Sequence, residues 1–302
     1  MTRAGFKLGP AAISLVLVGI AILLLVPLMR SSSAVPVASE QLSQESREFQ
    51  YKQWKENFKA ADPAYQAMCD QALQNYKGNG QFQQDMFVFY NVFKYWPMEG
   101  KKGFYVDSGT NDPIAGSNSL FYDKCLGWDG ICVEPQEVWH QIIADARSCY
   151  LFKGCLASHS TSAVMQGDGQ MAQAVFTNDT AAAAGSVQCA TLKDILASQG
   201  HSSIDFWSLD VEGAEIDVLS SFDFEDVSVK SILIEDFWVI QRDLDYLLTS
   251  NGFLKYRQLA VDSFYLARTT PFLNPMWEPA GSQDDWVFNK NWRETLKDKI
   301  VC

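Results

Sequence analysis

Short apolar runs that each end in an acidic residue recur through the middle of the chain. The first covers residues 104–106 and ends at Asp107, with Gly109 in the turn that follows and Ser117 at a helix N-cap position beyond it. A run of strand length, a tight turn and a capping residue predict the strand, loop and helix that open an α/β unit. Ligands of such units bind beyond the carboxyl ends of the strands, where Asp107 and Gly109 lie. An ordinary strand-to-helix turn is the alternative for this stretch taken alone.

The second run, residues 131–133, ends in Glu134. Pro135 then stands at the favoured first position of a helix predicted to reach Ala146. In folds that bind nucleosides, an acid at the end of the second strand accepts hydrogen bonds from both ribose hydroxyls, because a carboxylate can hold two donors. Glu134 therefore has the position of a ribose ligand, with an ordinary surface acid as the alternative. Residues 149–156 are predicted to form the third strand.

Two further runs near the C-terminal side repeat the pattern. Residues 204–209 end in Asp210, with Glu212 two positions later, and residues 229–234 end in Glu235 and Asp236. Each run is followed by a segment with helical periodicity. The pattern thus predicts two more parallel strands with carboxylates at their tips.

The last two predicted strands, residues 253–256 and 263–267, are separated by too few residues for a helical crossover. They therefore form a hairpin, and the final strand runs antiparallel to its neighbours. The fold class predicted is α/β, a Rossmann-like class I methyltransferase sheet that is mostly parallel with an antiparallel last strand. A nicotinamide enzyme would need three glycines around its pyrophosphate, and the loop at Gly109 offers only the first. The cationic, phosphate-free S-adenosylmethionine suits acids at strand tips better.

Three motifs in order along the chain resemble the FkbM-type methyltransferases. They are Val106-Asp-Ser-Gly-Thr-Asn-Asp112 with Ser117-Asn-Ser119, Gly127-Trp128 to Glu134-Pro135, and Leu209-Asp-Val-Glu-Gly-Ala-Glu215. The resemblance covers residues 82–268. It implies S-adenosylmethionine as cofactor and O-methylation, often of sugar hydroxyls. By matching positions, it implies that Asp107, Gly109 and Asn111 line the methionine side of the cofactor and that Glu134 holds the ribose.

An alcohol is a poor nucleophile, so O-methylation needs a base for the hydroxyl proton. Asp210, Glu212 and Asp236 stand at strand tips beside the expected methyl group and are the candidate catalytic residues. His140 falls inside a predicted helix and His201 before a strand, so neither is placed at the crevice. A divalent ion that bridges some of these acids is an alternative, although no ligand-spacing signature predicts a metal site. The alternative for Asp210 is a helix cap.

The N-terminus is predicted to anchor the protein in a membrane. Residues 8–29 carry no charge, and Arg3 and Lys7 precede them. This length suits a bilayer crossing, and the basic residues place the N-terminus in the cytosol and the rest in the lumen of the ER or Golgi. The alternative is a signal peptide cleaved near residues 32–34.

Four regions follow from these patterns. Residues 1–30 form the cytosolic tip and signal anchor, and residues 31–80 a linker and helical stem. Residues 81–270 form the methyltransferase domain, and residues 271–302 a C-terminal extension containing tryptophans. The apolar stripe of the stem is predicted to pack on the domain, with docking of a partner helix as the alternative.

The net charge of −12 argues against a nucleic-acid partner. Seven cysteines fit an oxidising lumen, and their odd number leaves at least one without a partner in the chain. Cys132, inside an apolar run, is predicted to be a free core thiol. Cys149 and Cys155 lie about 20 Å apart on one predicted strand, so they do not pair. The sequon at Asn178 can be glycosylated in the lumen.

The leading hypothesis is a membrane-anchored O-methyltransferase that acts on a hydroxyl of a glycan or another small molecule in the secretory pathway. One alternative is a nicotinamide-dependent oxidoreductase, which the missing glycines disfavour. The other is a non-catalytic lumenal binding or scaffold protein that keeps the fold, which the acids at positions 107, 134 and 210 disfavour. The sequence does not specify the acceptor.

Overall fold

The computed structural model describes residues 43–167, 169–176 and 185–273. The predicted membrane span, the Asn178 sequon and the tryptophans of the C-terminal extension lie outside the described residues, so these stay predictions. Within the described ranges, no helix combines the length and apolarity that crossing a bilayer requires.

The described part of the chain alternates helices and strands. The α-helices are α1 (Gln44–Glu56), α2 (Gln66–Asn75), α3 (Gln84–Val88), α4 (Glu137–Ala146), α5 (Leu192–Ser198), α6 (Glu215–Ser220) and α7 (Gln241–Ser250). The strands are β1 (Phe104–Ser108), β2 (Asp129–Val133), β3 (Tyr150–Phe152), β4 (Cys155–Leu156), β5 (Thr161–Gln166), β6 (Gln173–Phe176), β7 (Ser186–Ala190), β8 (Ser203–Leu209), β9 (Ser228–Glu235), β10 (Phe253–Leu259) and β11 (Asp262–Ala267). Short π-helical segments follow α3 and precede β2.

Seven strands form the main sheet, in the order β10-β11-β9-β8-β1-β2-β3. The five from β3 to β9 run parallel, whereas β11 is antiparallel to both of its neighbours. This arrangement confirms the predicted mostly parallel sheet with a terminal hairpin. It also places β8 beside β1, so that Asp107 and Asp210 come to adjacent strand tips.

The two faces of the main sheet bury different side chains. Along β1, Tyr105 points into an aromatic-rich cluster that also holds Phe206 of β8 and Cys132 of β2. Val106 and Trp207 point into the opposite, largely aliphatic cluster beneath α5, α6 and α7. Because successive side chains of a strand alternate between faces, strands buried on both sides carry continuous apolar runs. This explains why the sequence shows runs rather than alternation.

The single strand predicted for residues 149–156 is wrong. The chain breaks after Phe152, so β3 ends the main sheet while β4 begins a second sheet of order β4-β7-β5-β6. Gly154 stands at the break, where a Cβ atom would lie 2.1 Å from the carbonyl oxygen of Gln188. Only glycine lets the two backbones approach this closely, which is why the strand changes sheets here. Within the second sheet, β6 pairs antiparallel with β5.

The helices that precede the sheet pack directly on it. Tyr51 of α1, Phe58 two residues after this helix and Leu73 of α2 are buried in the aromatic cluster. A disulfide between Cys69 of α2 and Cys125 of the segment before β2 fastens this packing. The prediction that the apolar stripe of the stem packs on the domain is therefore confirmed.

Two further disulfides join neighbouring strands or their ends. Cys132 of β2 pairs with Cys149, just before β3, with 5.8 Å between the Cα atoms. The free thiol predicted for Cys132 is therefore wrong, because β3 lies beside β2 and brings Cys149 within bonding reach. Cys155 of β4 pairs with Cys189 of β7 across the small sheet. Cys149 and Cys155 do not pair with each other, as predicted.

Candidate active site

A cavity of about 770 Å³ lies beyond the carboxyl ends of β1, β2, β8 and β9. Its size is within the range of small-molecule sites, and its place is where open α/β sheets bind ligands. Strand tips, the loops that follow them and the small sheet supply the walls. Phe82 and Gln84, which precede the sheet, also line it.

Gly109, directly after β1, lines the cavity and lies against the backbone of Asp210. It has a left-handed backbone with φ +80°, and a Cβ atom there would lie 1.8 Å from the carbonyl oxygen of Asp210. Its N–H donates to the carbonyl oxygen of Val133, at 3.0 Å. The turn therefore ties the tips of β1, β2 and β8 together, and only glycine fits it.

Glu134 is held at the tip of β2 by two backbone N–H groups. Its Oε2 accepts from Asn111, which has φ +49°, and its Oε1 accepts from Gln136, both at 2.7 Å. The residue is 1% exposed yet lines the cavity. Burial raises the pKa of Glu134 to about 7, against the opposing effect of the two N–H donors. Each oxygen keeps a lone pair that can accept a ligand hydroxyl.

Asp210 and Glu212 both reach the cavity from the loop between β8 and α6. Glu212 has φ +54°, and its Oε2 accepts from the indole Nε1 of Trp238 at 2.8 Å. Burial raises the pKa of Glu212 to about 7. Burial, followed by the charges of Glu235 and Glu212, raises the pKa of Asp210 well above its ordinary value. Glu212 can therefore take up a proton near neutral pH.

Asp210 does not cap α6. The carboxylate of Glu215 accepts instead from the N–H groups of Val211 and Gly213, at 3.0 to 3.2 Å. Residue Ala214 is the N-cap and contributes no side-chain hydrogen bond. No hydrogen bond in the described structure therefore supports a helix-capping role for Asp210.

Asp236 lies apart from the other two catalytic candidates. It is 0% exposed, and its carboxylate accepts from Ser263, Gln241 and Gln258 at 2.6 to 3.1 Å. It is not among the residues that line the cavity. These hydrogen bonds hold it against the terminal hairpin, where it stabilises the turn into α7.

Glu235 and Asp262 line the cavity in its place. Neighbouring residues at a strand end point to opposite sides, so Glu235 faces the cavity while the next residue faces the hairpin. Burial raises the pKa of Glu235 to about 8 and that of Asp262 to about 7. In the sequence, Glu235 is marked only by its position next to Asp236, the acid predicted to be catalytic. Asp262 reaches the cavity only because β11 pairs with β9, and no local pattern marks it.

The carboxylate oxygens of Asp210, Glu215 and Glu235 all lie within 4.8 Å of one another. Oxygen ligands in this arrangement are compatible with a divalent cation such as Mg²⁺ or Ca²⁺. They are the metal-compatible cluster that the described residues contain.

The charged side chains among the described residues that line the cavity are all acidic. Among the described residues that line it, none is Lys, Arg or His. Seven are carboxylic acids, namely Asp107, Asp112, Glu134, Asp210, Glu212, Glu235 and Asp262. Such a cavity repels phosphate and attracts cations.

Two buried amide oxygen atoms of the cavity lining have no hydrogen-bond partner in the described structure. They are Oδ1 of Asn111 and Oδ1 of Asn118. Buried polar atoms are nearly always paired, so these acceptors point to a ligand rich in donors. S-adenosylmethionine carries an ammonium, two ribose hydroxyls and an adenine amino group, and the residues present therefore fit it.

The sheet order, the terminal antiparallel strand and the acid-lined cavity at the strand tips define a fold of the methyltransferase type. Residues 107–255 match the family model of the methyltransferase FkbM domain. This match confirms the resemblance carried by the three sequence motifs. No curated protein matches the chain. The cavity residues Phe82, Gln84 and Asp262 lie outside the matched range.

Proposed function

We propose that the protein is an S-adenosylmethionine-dependent O-methyltransferase that acts on a hydroxyl of a glycan or glycoconjugate in the secretory pathway. The observation that carries this proposal is the cavity of the FkbM domain, which is lined by seven carboxylic acids and by no basic side chain among the described residues. A cationic cofactor without phosphate suits this lining, whereas the pyrophosphate of a nicotinamide cofactor does not.

The residues assigned to the cofactor surround one end of the cavity. Glu134 would accept the ribose hydroxyls through the lone pairs its backbone donors leave free, and Asp107 would accept from the ammonium group. Gly109 and Asn111 shape the loop between them, and Asn111 offers an unpaired Oδ1. When bound, the cofactor supplies an electrophilic methyl group.

The residues assigned to proton transfer lie at the tip of β8. Glu212, whose pKa burial raises to about 7, can accept the proton of an acceptor hydroxyl near neutral pH, and Asp210 beside it has a pKa raised by burial and by the charges of Glu235 and Glu212. The hydrogen bond from Trp238 fixes the carboxylate of Glu212. A fixed carboxylate can hold the acceptor hydroxyl in the orientation that reaction requires. Asp236 is the weakest of the three candidates, because it does not line the cavity.

Aromatic side chains at the cavity favour a sugar as acceptor. Phe82, Phe237 and Trp238 line it, and Trp238 is 37% exposed. The hydrogen bond to Glu212 fixes the indole, so its accessible surface lies next to a candidate base. Aromatic rings provide flat apolar surfaces with a polar edge, which suits the C–H face and hydroxyls of a sugar ring.

The proposed location is the lumen of the ER or Golgi, with residues 8–29 as a type II signal anchor. Three disulfides support this location, because disulfides persist in oxidising compartments. Protease treatment of sealed microsomes should leave residues 44–273 intact without detergent, and Asn178 should carry a glycan. Digestion of the domain in sealed microsomes would contradict the proposed topology.

The experiment that tests the activity is incubation of the protein with methyl-labelled S-adenosylmethionine and a panel of glycans and glycoconjugates. Transfer of label to one acceptor class, lost in Glu134→Ala, supports the proposal. Binding of S-adenosylhomocysteine without transfer to any acceptor would favour a non-catalytic binding protein. Binding of NAD in its place would support the oxidoreductase alternative.

A further inference from the structure

Arg147, which directly follows α4, is the most heavily bonded buried cation of the described structure. Its side chain is 0% exposed. The guanidinium donates to one oxygen atom from each of five residues. These are Oγ of Ser119 at 2.6 Å, Oδ2 of Asp123 at 2.8 Å, Oγ of Ser117 at 3.2 Å, the carbonyl oxygen of Pro113 at 3.4 Å and Oδ2 of Asp107 at 3.5 Å.

Four of the five acceptors belong to the strand tip and loop that form one wall of the cavity, and the fifth, Asp123, lies in the π-helical segment before β2. Asp107 is at the tip of β1, and Pro113, Ser117 and Ser119 lie on the loop that continues from Gly109. Asp107 and Ser117 line the cavity, whereas Arg147 does not. One planar guanidinium therefore joins the strand tip to the loop from behind the cavity wall.

The charge balance around Arg147 is favourable. Burial opposes its charged form, but Tyr105 and the carboxylates of Asp107 and Asp123 raise the pKa of Arg147 above its ordinary value. A buried cation needs such partners, because an unpaired charge in the interior is strongly destabilising. Replacing the planar, forked guanidinium of Arg147 by the compact ammonium group of Lys would remove several of these hydrogen bonds at once.

The two carboxylate oxygens of Asp107 have different surroundings. Both Ser119 and Arg147 donate to Oδ2 of Asp107, and Arg147 also donates to Ser119. This arrangement sets the plane of the carboxylate and leaves Oδ1 for a ligand in the cavity.

We propose that Arg147 is a positioning residue for the methionine end of S-adenosylmethionine, which it orients indirectly by fixing Asp107 and the loop at residues 113–119. The inference rests on the proposed cofactor. A residue with a purely structural role would affect all cofactor fragments alike. Arg147 should instead affect the fragment that carries the ammonium group.

Two ligands separate these cases. S-adenosylhomocysteine contains the amino-acid end, whereas 5′-methylthioadenosine has the same nucleoside and thioether without it. Calorimetry on the full-length protein should show that Arg147→Lys weakens binding of S-adenosylhomocysteine roughly tenfold or more, which is the loss expected for a charged hydrogen bond. Binding of 5′-methylthioadenosine should weaken less than about threefold. Arg242→Lys, an exposed site, should change neither affinity.

Ser119→Ala removes the same link to Oδ2 of Asp107 with less disturbance, and it serves as the test if Arg147→Lys does not fold. It should also lower the affinity for S-adenosylhomocysteine more than that for 5′-methylthioadenosine. Equal weakening of the two ligands, or no weakening, would overturn the role of Arg147 and leave the proposed function standing. Failure of the wild-type protein to bind either ligand would overturn the proposed cofactor and this inference together.

Discussion

Gly109 and Asp210 meet through their backbones at the tips of the two central strands. A Cβ atom on residue 109 would lie 1.8 Å from the carbonyl oxygen of Asp210, and the residue has φ +80°. This contact sets the distance between the cofactor loop and the candidate catalytic loop. Any side chain at position 109 must push the two apart.

Gly109→Ala should therefore lose cofactor binding and destabilise the domain by about 1–3 kcal/mol through overpacking, in addition to backbone strain. Thermal melts and calorimetry with S-adenosylhomocysteine measure the two effects. Gly200→Ala is the matched control, because Gly200 has φ +74° but no atom within 4 Å of a Cβ position. The control should show the cost of strain alone, and equal behaviour of the two variants would argue against the contact.

Glu134→Ala should weaken S-adenosylhomocysteine binding roughly 10- to 150-fold, because each hydrogen bond to a charged carboxylate contributes about 1.5–3 kcal/mol. The pKa of Glu134 is raised to about 7 by burial, and the ionised form accepts the ribose hydroxyls. Affinity in the wild-type protein should therefore rise with pH until about 7. Calorimetry between pH 5 and 8 tests this, with the exposed Glu137→Gln as control. An unchanged affinity in Glu134→Ala would remove the residue from the site.

The raised pKa of Glu134 also predicts how the stability of the folded protein depends on pH. The folded state favours the protonated form of Glu134, since its pKa is raised from 4.5 to about 7. Its contribution to stability is therefore complete below about pH 4.5 and is lost as the pH rises through about 7. Glu134→Gln, which cannot ionise, should show a smaller fall in Tm across this window. A parallel pH dependence in both proteins would show that Glu134 does not titrate in this range.

Asp210→Asn tests the proposed proton transfer. The structure shows no capping hydrogen bond from Asp210, so the variant should fold and bind cofactor normally. Turnover should fall roughly 10²- to 10⁴-fold, the usual contribution of a positioned base. Single-turnover rates with an acceptor from the glycan panel measure it. Asp217→Asn, at an exposed position of α6, should retain full activity, and wild-type turnover in Asp210→Asn would return that residue to a structural role.

Variants that each lack one disulfide should distinguish an effect on stability from an effect on cofactor binding. Replacing Cys69 and Cys125 by Ala opens a loop of 56 residues and should cost about 4 kcal/mol by the chain-entropy estimate, with cofactor affinity retained in the folded fraction. Replacing Cys155 and Cys189 should also lower cofactor affinity, because Cys155 lines the cavity. Denaturant melts and calorimetry on the two double variants distinguish these outcomes. Equal affinities in both would show that the small sheet does not shape the site.

Much of the candidate site follows from local sequence, because each parallel strand is an apolar run that must end where a polar residue begins. Asp107, Glu134 and Asp210 are strand-tip residues of this kind, and all three line one cavity. The terminal hairpin follows from the short spacing of the last two runs, since a parallel connection needs more residues.

The sequence by itself thus determined the strand tips, the α/β class and the glycine turn, because local patterning dictates them. Tertiary structure decided which residues meet across long separations. Arg147 joins Asp107 only because its guanidinium lies over the ring of Tyr105 on β1, and Cys149 reaches Cys132 only because β3 pairs with β2. Which of two adjacent acids faces the cavity likewise depends on where β9 ends against β11. Such contacts depend on register and packing between elements distant in the chain, which no local pattern encodes.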